Sequence, residues 1–448
     1  MTLGAGRLAP PAVATRTAER RASVPPWVLG VVWIALATAL QLARQRGAPS
    51  VDTIWAEDGQ LFLSDALRDP LGSLLRPAGG YLHLVPRLVA LVAATLPIEW
   101  AAWVFATGSA LMVAGVSLFV FHASRVILPS PWSRATLAAV IPLLPGAGFE
   151  SLANVANLQY FLVFGAFWAL VARPRSTGGQ VAGALLVVGA GTSTTMSFLL
   201  GPVALWALFR GESRQRVVAG VFLGALAAQG FTVFRAVVLG SDPTLDQYPV
   251  RWSASDPLDL PALYGLRVVG PLLVGDSLLD DAWRAWGWVF AYVSLALAAG
   301  VAVVGIAMPS RRARFVVLAA GSVLTFSLPL LARGTAHLEL QGPAPLLNGN
   351  RYVLAPAWFL VAAILVLLDD PERRSSLRER VGAGVVAVLT VVVLLNYPLT
   401  TLRSSGPRWS RELPVARAAC PTQEGVVEVP ITPPFGWRAR VPCERLGT

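Results

Sequence analysis

The chain has 448 residues, of which 55% are hydrophobic and only 14% are charged. A soluble domain carries about 25% charged residues, so the composition argues against a soluble protein. All 36 basic residues are arginines, and the formal net charge is +11. The arginines cluster between apolar runs rather than among aromatic residues, which favours a role in membrane orientation and makes a nucleic-acid partner unexpected.

Apolar runs of about twenty residues recur from end to end, and each could cross a hydrocarbon core as a helix. We therefore predict an all-α polytopic membrane protein with about eleven transmembrane helices. The predicted transmembrane domain covers residues 25–398. It is preceded by a polar tail, residues 1–24, and followed by a second tail, residues 399–448.

The N-terminal tail carries Arg16, Arg20 and Arg21 directly before the first apolar run, "PPWVLGVVWIALATALQLA". Basic residues before a first span predict that the N-terminus is cytoplasmic. A cleaved signal peptide is the alternative, because small residues follow the run.

The first outer loop, about residues 44–97, contains "VDTIWAEDGQLFL", with the three acids Asp52, Glu57 and Asp58. It ends in "YLHLVPRLVALVAATLP", which is apolar but short. We predict that this stretch is a helix at the outer interface, with His83 and Arg87 among its apolar residues. If it crossed the membrane, every later Arg-rich connection would lie outside, against the usual charge bias.

The remaining outer loops are predicted at about residues 148–157, 240–284 and 333–350. The short connections between them, such as "RPRS" and "PSRRAR", are rich in arginine and are predicted to be cytoplasmic. The acids of the predicted loop 240–284, Asp276, Asp280 and Asp281, are expected to be solvated.

This topology places the C-terminal tail outside the cytoplasm. Its segments "VVEVPI" and "WRARVPC" alternate in polarity around the turn-like "TPPFG", which predicts a β-hairpin. A disulfide between Cys420 and Cys443 is plausible in that compartment, and two unpaired thiols are the alternative.

Polar side chains at membrane depth usually face a cavity, so the outer loops predict a polar, outward-facing cavity. A carboxylate there could act as a general base, and an arginine could hold a phosphate through two hydrogen bonds. Each of these residues also has a purely structural alternative. Asp58 could cap a helix, His83 could be a packed residue, and Arg351 could anchor its span at the interface.

Four segments together resemble the GT-C superfamily of membrane glycosyltransferases. They are "WAEDGQLFL", "YLHLVPRLVALVAATLP", "LLPGAGFESLANVANLQ" and "NGNRYVLAPAW". Such enzymes have a cytoplasmic N-terminus, one span and a large first outer loop with a catalytic Asp or Asp/Glu pair. Many of them also carry an acid on the next outer loop and an arginine entering a late span. The resemblance covers about residues 25–370.

The resemblance implies inverting transfer of a sugar from a polyprenyl-phosphate donor to a hydroxyl of a glycan or protein, at the outer face of the cytoplasmic membrane. Asp58 would be the base, with Glu57 as the alternative, and Glu150 would orient the acceptor or the base. Arg351 would stabilise the departing phosphate, and His83 and Arg87 could assist it. The other expected substrate-binding residues are Tyr352, Asp52 and Asn157.

No metal ligand set is predicted, because the sequence lacks the Asp-x-Asp element of oligosaccharyltransferases. The three acids of residues 52–58 could still bind a divalent cation weakly. Competing functions are a transporter or flippase for lipid-linked glycans, a polymerase or ligase of cell-envelope glycans, and an inactive scaffold.

Overall fold

The structure is a computed structural model. It describes residues 25–145, 148–242, 244, 259–333, 349–369, 376–422 and 425–447. The predicted cytoplasmic tail, residues 1–24, lies outside the described residues, as does most of the predicted outer loop 333–350.

Helices dominate the chain as far as residue 238. In order they are α1 (Pro26–Ala43), α2 (Ser64–Arg68), α3 (Leu84–Thr95), α4 (Ala101–Ala123), α5 (Pro131–Leu143), α6 (Gly148–Ser151), α7 (Leu158–Val171), α8 (Thr177–Gly191), α9 (Gly201–Arg210) and α10 (Ser213–Val238). The predicted short helix is observed as α3, which ends where Leu96 is extended and Pro97 follows it; its place at the interface stays a prediction.

The second half contains α11 (Leu260–Tyr264), α12 (Gly270–Trp286), α13 (Trp288–Ala307), α14 (Arg312–Arg333), α15 (Leu354–Leu368), α16 (Ser376–Leu395) and α17 (Trp409–Ala419). By length and apolar composition, six helices of the described chain can cross a membrane: Ile98–Val126, Ser213–Val238, Leu260–Trp286, Trp288–Ala307, Arg312–Ala332 and Asn350–Leu368. The prediction of an all-α membrane protein is therefore supported.

The Arg-rich connections meet at one end of the helix bundle, here called the basic end. Ser130, before α5, donates its amide to Asp369 after α15 at 3.1 Å. Arg125, after α4, donates to the carbonyl of Arg173 after α7 at 3.5 Å.

The first outer loop and the later acid-bearing segments meet at the other end, here called the site end. The amide of Leu84 donates to the carbonyl of Thr192, after α8, at 3.1 Å. The amide of Leu399, after α16, donates to the carbonyl of Arg44 at 2.8 Å. These contacts join the first outer loop to the segments that follow α8 and α16.

The prediction of a loop over residues 240–284 was wrong for its second half, because residues from Leu260 to Trp286 are helical. The helix is broken at Gly275, where φ is +74° and an added Cβ would collide with Asn396. That asparagine accepts a hydrogen bond from the amide of Ser277 at 2.8 Å. On the other side of the break, Arg267 donates to Asn350 at 3.3 Å. Both contacts are made at the site end.

This helix escaped prediction because glycine, proline and acids interrupt its apolar pattern. The acids expected in a solvated loop lie on α12 instead. Asp280 forms an i,i+4 ion pair with Arg284 at 2.6 Å, while Asp276 is only partly exposed.

The predicted C-terminal hairpin and disulfide are confirmed. Strands β1 (Val426–Pro430) and β2 (Arg438–Pro442) pair antiparallel, with Val427 opposite Val441, and Cys420 is bonded to Cys443. Alternate residues of both strands are buried, as the sequence pattern indicated.

The segment 399–447, here called the C-terminal unit, packs directly on the first outer loop. Thr432 donates its amide to the carbonyl of Ile54 at 3.0 Å, and Arg440 donates its amide to Ser64 Oγ at 2.9 Å. Trp409 is buried and donates to the carbonyl of Ile98 at 2.8 Å. The unit is therefore part of the packing around residues 52–64.

Loss of the disulfide should loosen this unit. The bond closes a loop with a sequence separation of 23 residues, for which the chain-entropy account gives a stabilisation of about 3 kcal/mol. We expect Cys420→Ser and Cys443→Ser each to speed proteolysis of the C-terminal unit in nanodiscs, and the double variant to be no worse than either. Unchanged cleavage rates would show that packing alone holds the unit.

Candidate active site

The segment carrying the acids is a helix with one π-helical turn, Asp58–Leu63, that continues into α2. Phe62, Leu63 and Ala66 are buried against the rest of the fold and fix the rotation of this helix. Neighbouring side chains on a helix point about 100° apart. Glu57 and Asp58 therefore face different surroundings, although they are adjacent in sequence.

A cavity of about 490 Å³ lies at the site end. Its polar lining consists of Glu57, Tyr81, His83, Asn157, Gln159, Tyr160, Thr194, Thr195, Arg351 and Tyr352. Its apolar lining includes Leu61, Phe62, Met196, Leu199, Val233, Val237, Leu328, Pro329 and Ala332. The last five of these come from α10 and α14, so one wall is made by apolar helices and the other by polar loops.

Glu57 faces this cavity. Its Oε2 atom is buried and has no hydrogen-bond partner among the described residues. Burial raises the pKa of Glu57, while the positive charge of Arg351 acts in the opposite direction and lowers it. A half-buried carboxylate whose pKa is raised and one of whose oxygen atoms has no hydrogen-bond partner has the properties of a general base.

Asp58 does not line the cavity. It is 1% exposed, and its two oxygens accept the amides of Val155 at 3.0 Å and Ala156 at 2.9 Å. Burial raises the pKa of Asp58 to about 7, opposed by these hydrogen bonds and by the charge of Arg403. The carboxylate thus joins the first outer loop to the segment before α7. The capping alternative fails, because neither oxygen contacts an amide of its own helix.

Asp58→Asn is expected to lower stability by about 1–3 kcal/mol, the cost of leaving a buried amide unsatisfied. The new NH₂ group would face a backbone N–H that now donates to an oxygen. Thermal unfolding in nanodiscs measures the effect, with Asp281→Asn, at an exposed position of α12, as the control. An unchanged midpoint for Asp58→Asn would contradict a bridging role.

Glu150 and Arg351 form an ion pair at the edge of the cavity. Arg351 Nη1 lies 3.5 Å from Glu150 Oε1, and the backbone amide of Arg351 donates to Oε2 at 3.5 Å. The guanidinium also lies over the Tyr352 ring, 5.2 Å from its centroid. Asn157 donates to the backbone carbonyl of Glu150 at 3.1 Å. Glu150 therefore orients the arginine, a role that differs from the one implied by the resemblance.

His83 lines the cavity beside Tyr81, with their ring centroids 4.2 Å apart. Its Nε2 atom lies 3.0 Å from the carbonyl oxygen of Ala78. Both the packing alternative and a polar role are compatible with this position.

Two predicted binding residues lie elsewhere. Arg87 is 1% exposed, pairs with Asp65 at 3.1 Å, and is not among the residues that line the cavity. Asp52 accepts the amide and the hydroxyl of Ser410, both at 2.8 Å. Arg87 thus forms an ion pair inside the first outer loop, and Asp52 binds the first turn of α17.

The acids of residues 52–58 point in three different directions. Asp52 contacts Ser410, Glu57 faces the cavity, and Asp58 contacts Val155 and its neighbour. Within the described part of the chain, no group of three or more His, Cys, Asp or Glu side chains is arranged to hold a metal ion.

The sequence reasoning did not single out several residues that line the cavity, among them Tyr81, Tyr160 and Thr194. Tyr81 follows Gly79 and Gly80, whose positive φ angles make the tight turn that presents its ring. The Gly-Gly pair is the one local signal for this position.

The described geometry brings Glu57, His83, Asn157, Arg351 and Tyr352 to one cavity and sets Asp58 and Glu150 against neighbouring residues. No protein-family model matches the chain, and a search of the curated proteins finds no match. The function therefore has to be argued from this cavity.

Proposed function

We propose that the protein is an inverting glycosyltransferase that moves a sugar from a polyprenyl-phosphate donor to an acceptor hydroxyl. The observation that carries this proposal is that Glu57 and Arg351 line the same cavity. A base and a cation at one site are what displacement of a phosphate by a hydroxyl requires.

In the proposed step, Glu57 takes the proton of the acceptor hydroxyl as that oxygen attacks the anomeric carbon. The new carbon–oxygen bond forms as the bond from the anomeric carbon to the phosphate oxygen breaks. The bonding electron pair leaves with the phosphate, and Arg351 stabilises the added charge. The geometry thus favours Glu57 over Asp58 as the base, because Asp58 has both oxygens occupied by backbone amides.

The apolar wall supports a lipid donor. Val233 and Val237 on α10 and Leu328 on α14 line the cavity next to the loops that carry the charged groups. Val237 is 58% exposed on the outer surface of the bundle, where lipid would contact it. An isoprenoid chain could lie along these helices with its phosphate near Arg351.

We further propose eleven crossings, made by α1, α4, α5, α7 to α10 and α13 to α16, with a cytoplasmic N-terminus. The meeting of the short Arg-rich connections at the basic end supports this orientation. The broken helix Leu260–Trp286 would then enter and leave at the site end, since Arg267 and Ser277 both contact residues there. The cavity would face outward, at the cytoplasmic membrane of a bacterial cell envelope.

The direct test is a transfer assay with the purified protein in nanodiscs. Polyprenyl-phosphate donors with different sugars are offered with glycan and peptide acceptors, and release of free polyprenyl phosphate is measured with formation of the product. The proposal predicts release coupled one to one with product of inverted anomeric configuration. Movement of intact donor between leaflets without release would instead indicate a flippase, and transfer of a whole glycan chain a polymerase or ligase.

A further inference from the structure

Arg403, in the C-terminal unit, is a buried cation that the proposed step does not use. It is 2% exposed although it follows the last long helix by only a few residues. Removing a guanidinium from water is expensive unless every donor finds an acceptor. The hydrogen bonds of the guanidinium therefore indicate which segments Arg403 connects.

Five hydrogen bonds saturate the guanidinium, which has five N–H donors. Three go to the first outer loop. Nη2 donates to the carbonyls of Ser50 at 2.8 Å and Thr53 at 2.7 Å, and Nε donates to Thr53 Oγ1 at 3.0 Å. The other two go to the carbonyls of Leu152 at 2.9 Å and Ala153 at 2.6 Å. A single side chain thus ties two segments together that are about 100 residues apart in sequence.

Both segments carry the site. Thr53 lies four residues before Glu57, and Ala153 lies between Glu150 and Asn157. Among the described residues, Ala153 is the one non-glycine residue with a positive φ, at +51°. A left-handed alanine costs about 1 kcal/mol, so its carbonyl needs to be held in place.

Asp58 makes the same connection from the other side, through the amides of Val155 and Ala156. The positive charge of Arg403 also acts on the Asp58 carboxyl. Arg403 and Asp58 therefore both bind the short turn 152–156. Arg403 donates to its backbone carbonyls, and Asp58 accepts from its backbone amides.

We propose that Arg403 is a positioning residue for the transfer step. It fixes the first outer loop against the segment 150–157 and thereby sets the separation of Glu57 from Arg351, which Glu150 orients. The C-terminal unit is then part of the catalytic assembly. This inference rests on the proposed glycosyl transfer.

The test compares Arg403→Lys with Arg445→Lys. Arg445 is a matched control, because it also ties the C-terminal unit to the first outer loop, through the carbonyls of Ala94 and Leu96, but away from the cavity. A lysine keeps the charge but cannot donate five hydrogen bonds in a planar fork. Thr53→Val is a milder variant that removes one acceptor and keeps Arg403.

We expect Arg403→Lys to lower kcat about 100-fold, in line with the cost of small misplacements at active sites, with the donor KM within about twofold. Thr53→Val should lower kcat less, and Arg445→Lys should leave it unchanged. Amide hydrogen exchange at Val155 and Ala156 should become faster in Arg403→Lys but not in the control Arg445→Lys. A merely structural role would instead reduce the yield of folded protein and leave kcat per folded molecule unchanged, which overturns the proposal.

Two failures are distinguishable. If the wild type transfers no sugar, the proposed function fails and the positioning role of Arg403 fails with it, while amide exchange at Val155 and Ala156 still shows whether Arg403 holds the segment 150–157 in place. If the wild type transfers sugar and Arg403→Lys is as fast as the wild type, only the positioning role is overturned.

Discussion

Glu57→Gln is expected to reduce sugar transfer by about 10²- to 10⁴-fold, the range that a general base contributes. The amide has nearly the same shape as the carboxylate but cannot take the proton of the acceptor. Because Arg351 and the apolar wall are untouched, the donor should still bind, so kcat falls while the donor KM changes little.

Asp52→Asn is the matched control for this loss. Asp52 lies five residues away, but its carboxylate contacts Ser410 and not the cavity. We expect near-normal transfer from Asp52→Asn. Wild-type kcat in Glu57→Gln would eliminate Glu57 as the base. Loss of transfer in a well-folded Asp58→Asn protein, with Glu57→Gln active, would return that role to Asp58.

The same residue sets the acid limb of the pH profile. A base works only when deprotonated, and burial raises the pKa of Glu57 above that of an ordinary glutamate, about 4.3. Transfer should therefore fall as the pH drops through this raised pKa, at a higher pH than a solvent-exposed glutamate would give.

Arg351→Gln should weaken donor binding by about 10- to 100-fold, since a charge-assisted contact to a phosphate is lost. It should also slow transfer, because the departing phosphate loses its stabilising charge. Binding of polyprenyl phosphate itself can be measured in nanodiscs by displacement of a labelled lipid. Arg76→Gln is the control, because Arg76 pairs with Asp65 on the first outer loop and does not line the cavity.

Arg351→Gln makes a second prediction with a defined sign. The positive charge of Arg351 lowers the pKa of Glu57, so its removal lets that pKa rise further. The acid limb of the residual activity should therefore move to higher pH. An acid limb that stays in place, or moves to lower pH, would mean that the two residues do not share a site.

The sequence was sufficient where local pattern decides structure. Alternation in "VVEVPI" and "WRARVPC" predicted the two strands, since their buried residues repeat with the period of a strand. The apolar runs at about residues 98–122 and 217–239 predicted helices, and α4 and α10 are observed there. The broken helix around Gly275 could not be predicted this way, because its break is stabilised by Asn396, far along the chain.

The site shows the same division. The sequence indicated both Glu57 and Asp58 as candidate bases. It could not distinguish which one faces the cavity, because that depends on how the helix packs through Phe62 and Leu63. Arg403 had no local signal at all. Its acceptors lie 250 to 353 residues away, and only the folded chain brings them together.

The most direct test of the account is a structure of the Glu57→Gln protein in nanodiscs with an intact polyprenyl-phosphate sugar. The variant should trap the donor before transfer. We expect the phosphate within hydrogen-bonding distance of the Arg351 guanidinium, the isoprenoid chain against Val233 and Leu328, and the sugar facing residue 57. A donor phosphate bound elsewhere, with Arg351 still paired only to Glu150, would contradict the shared site.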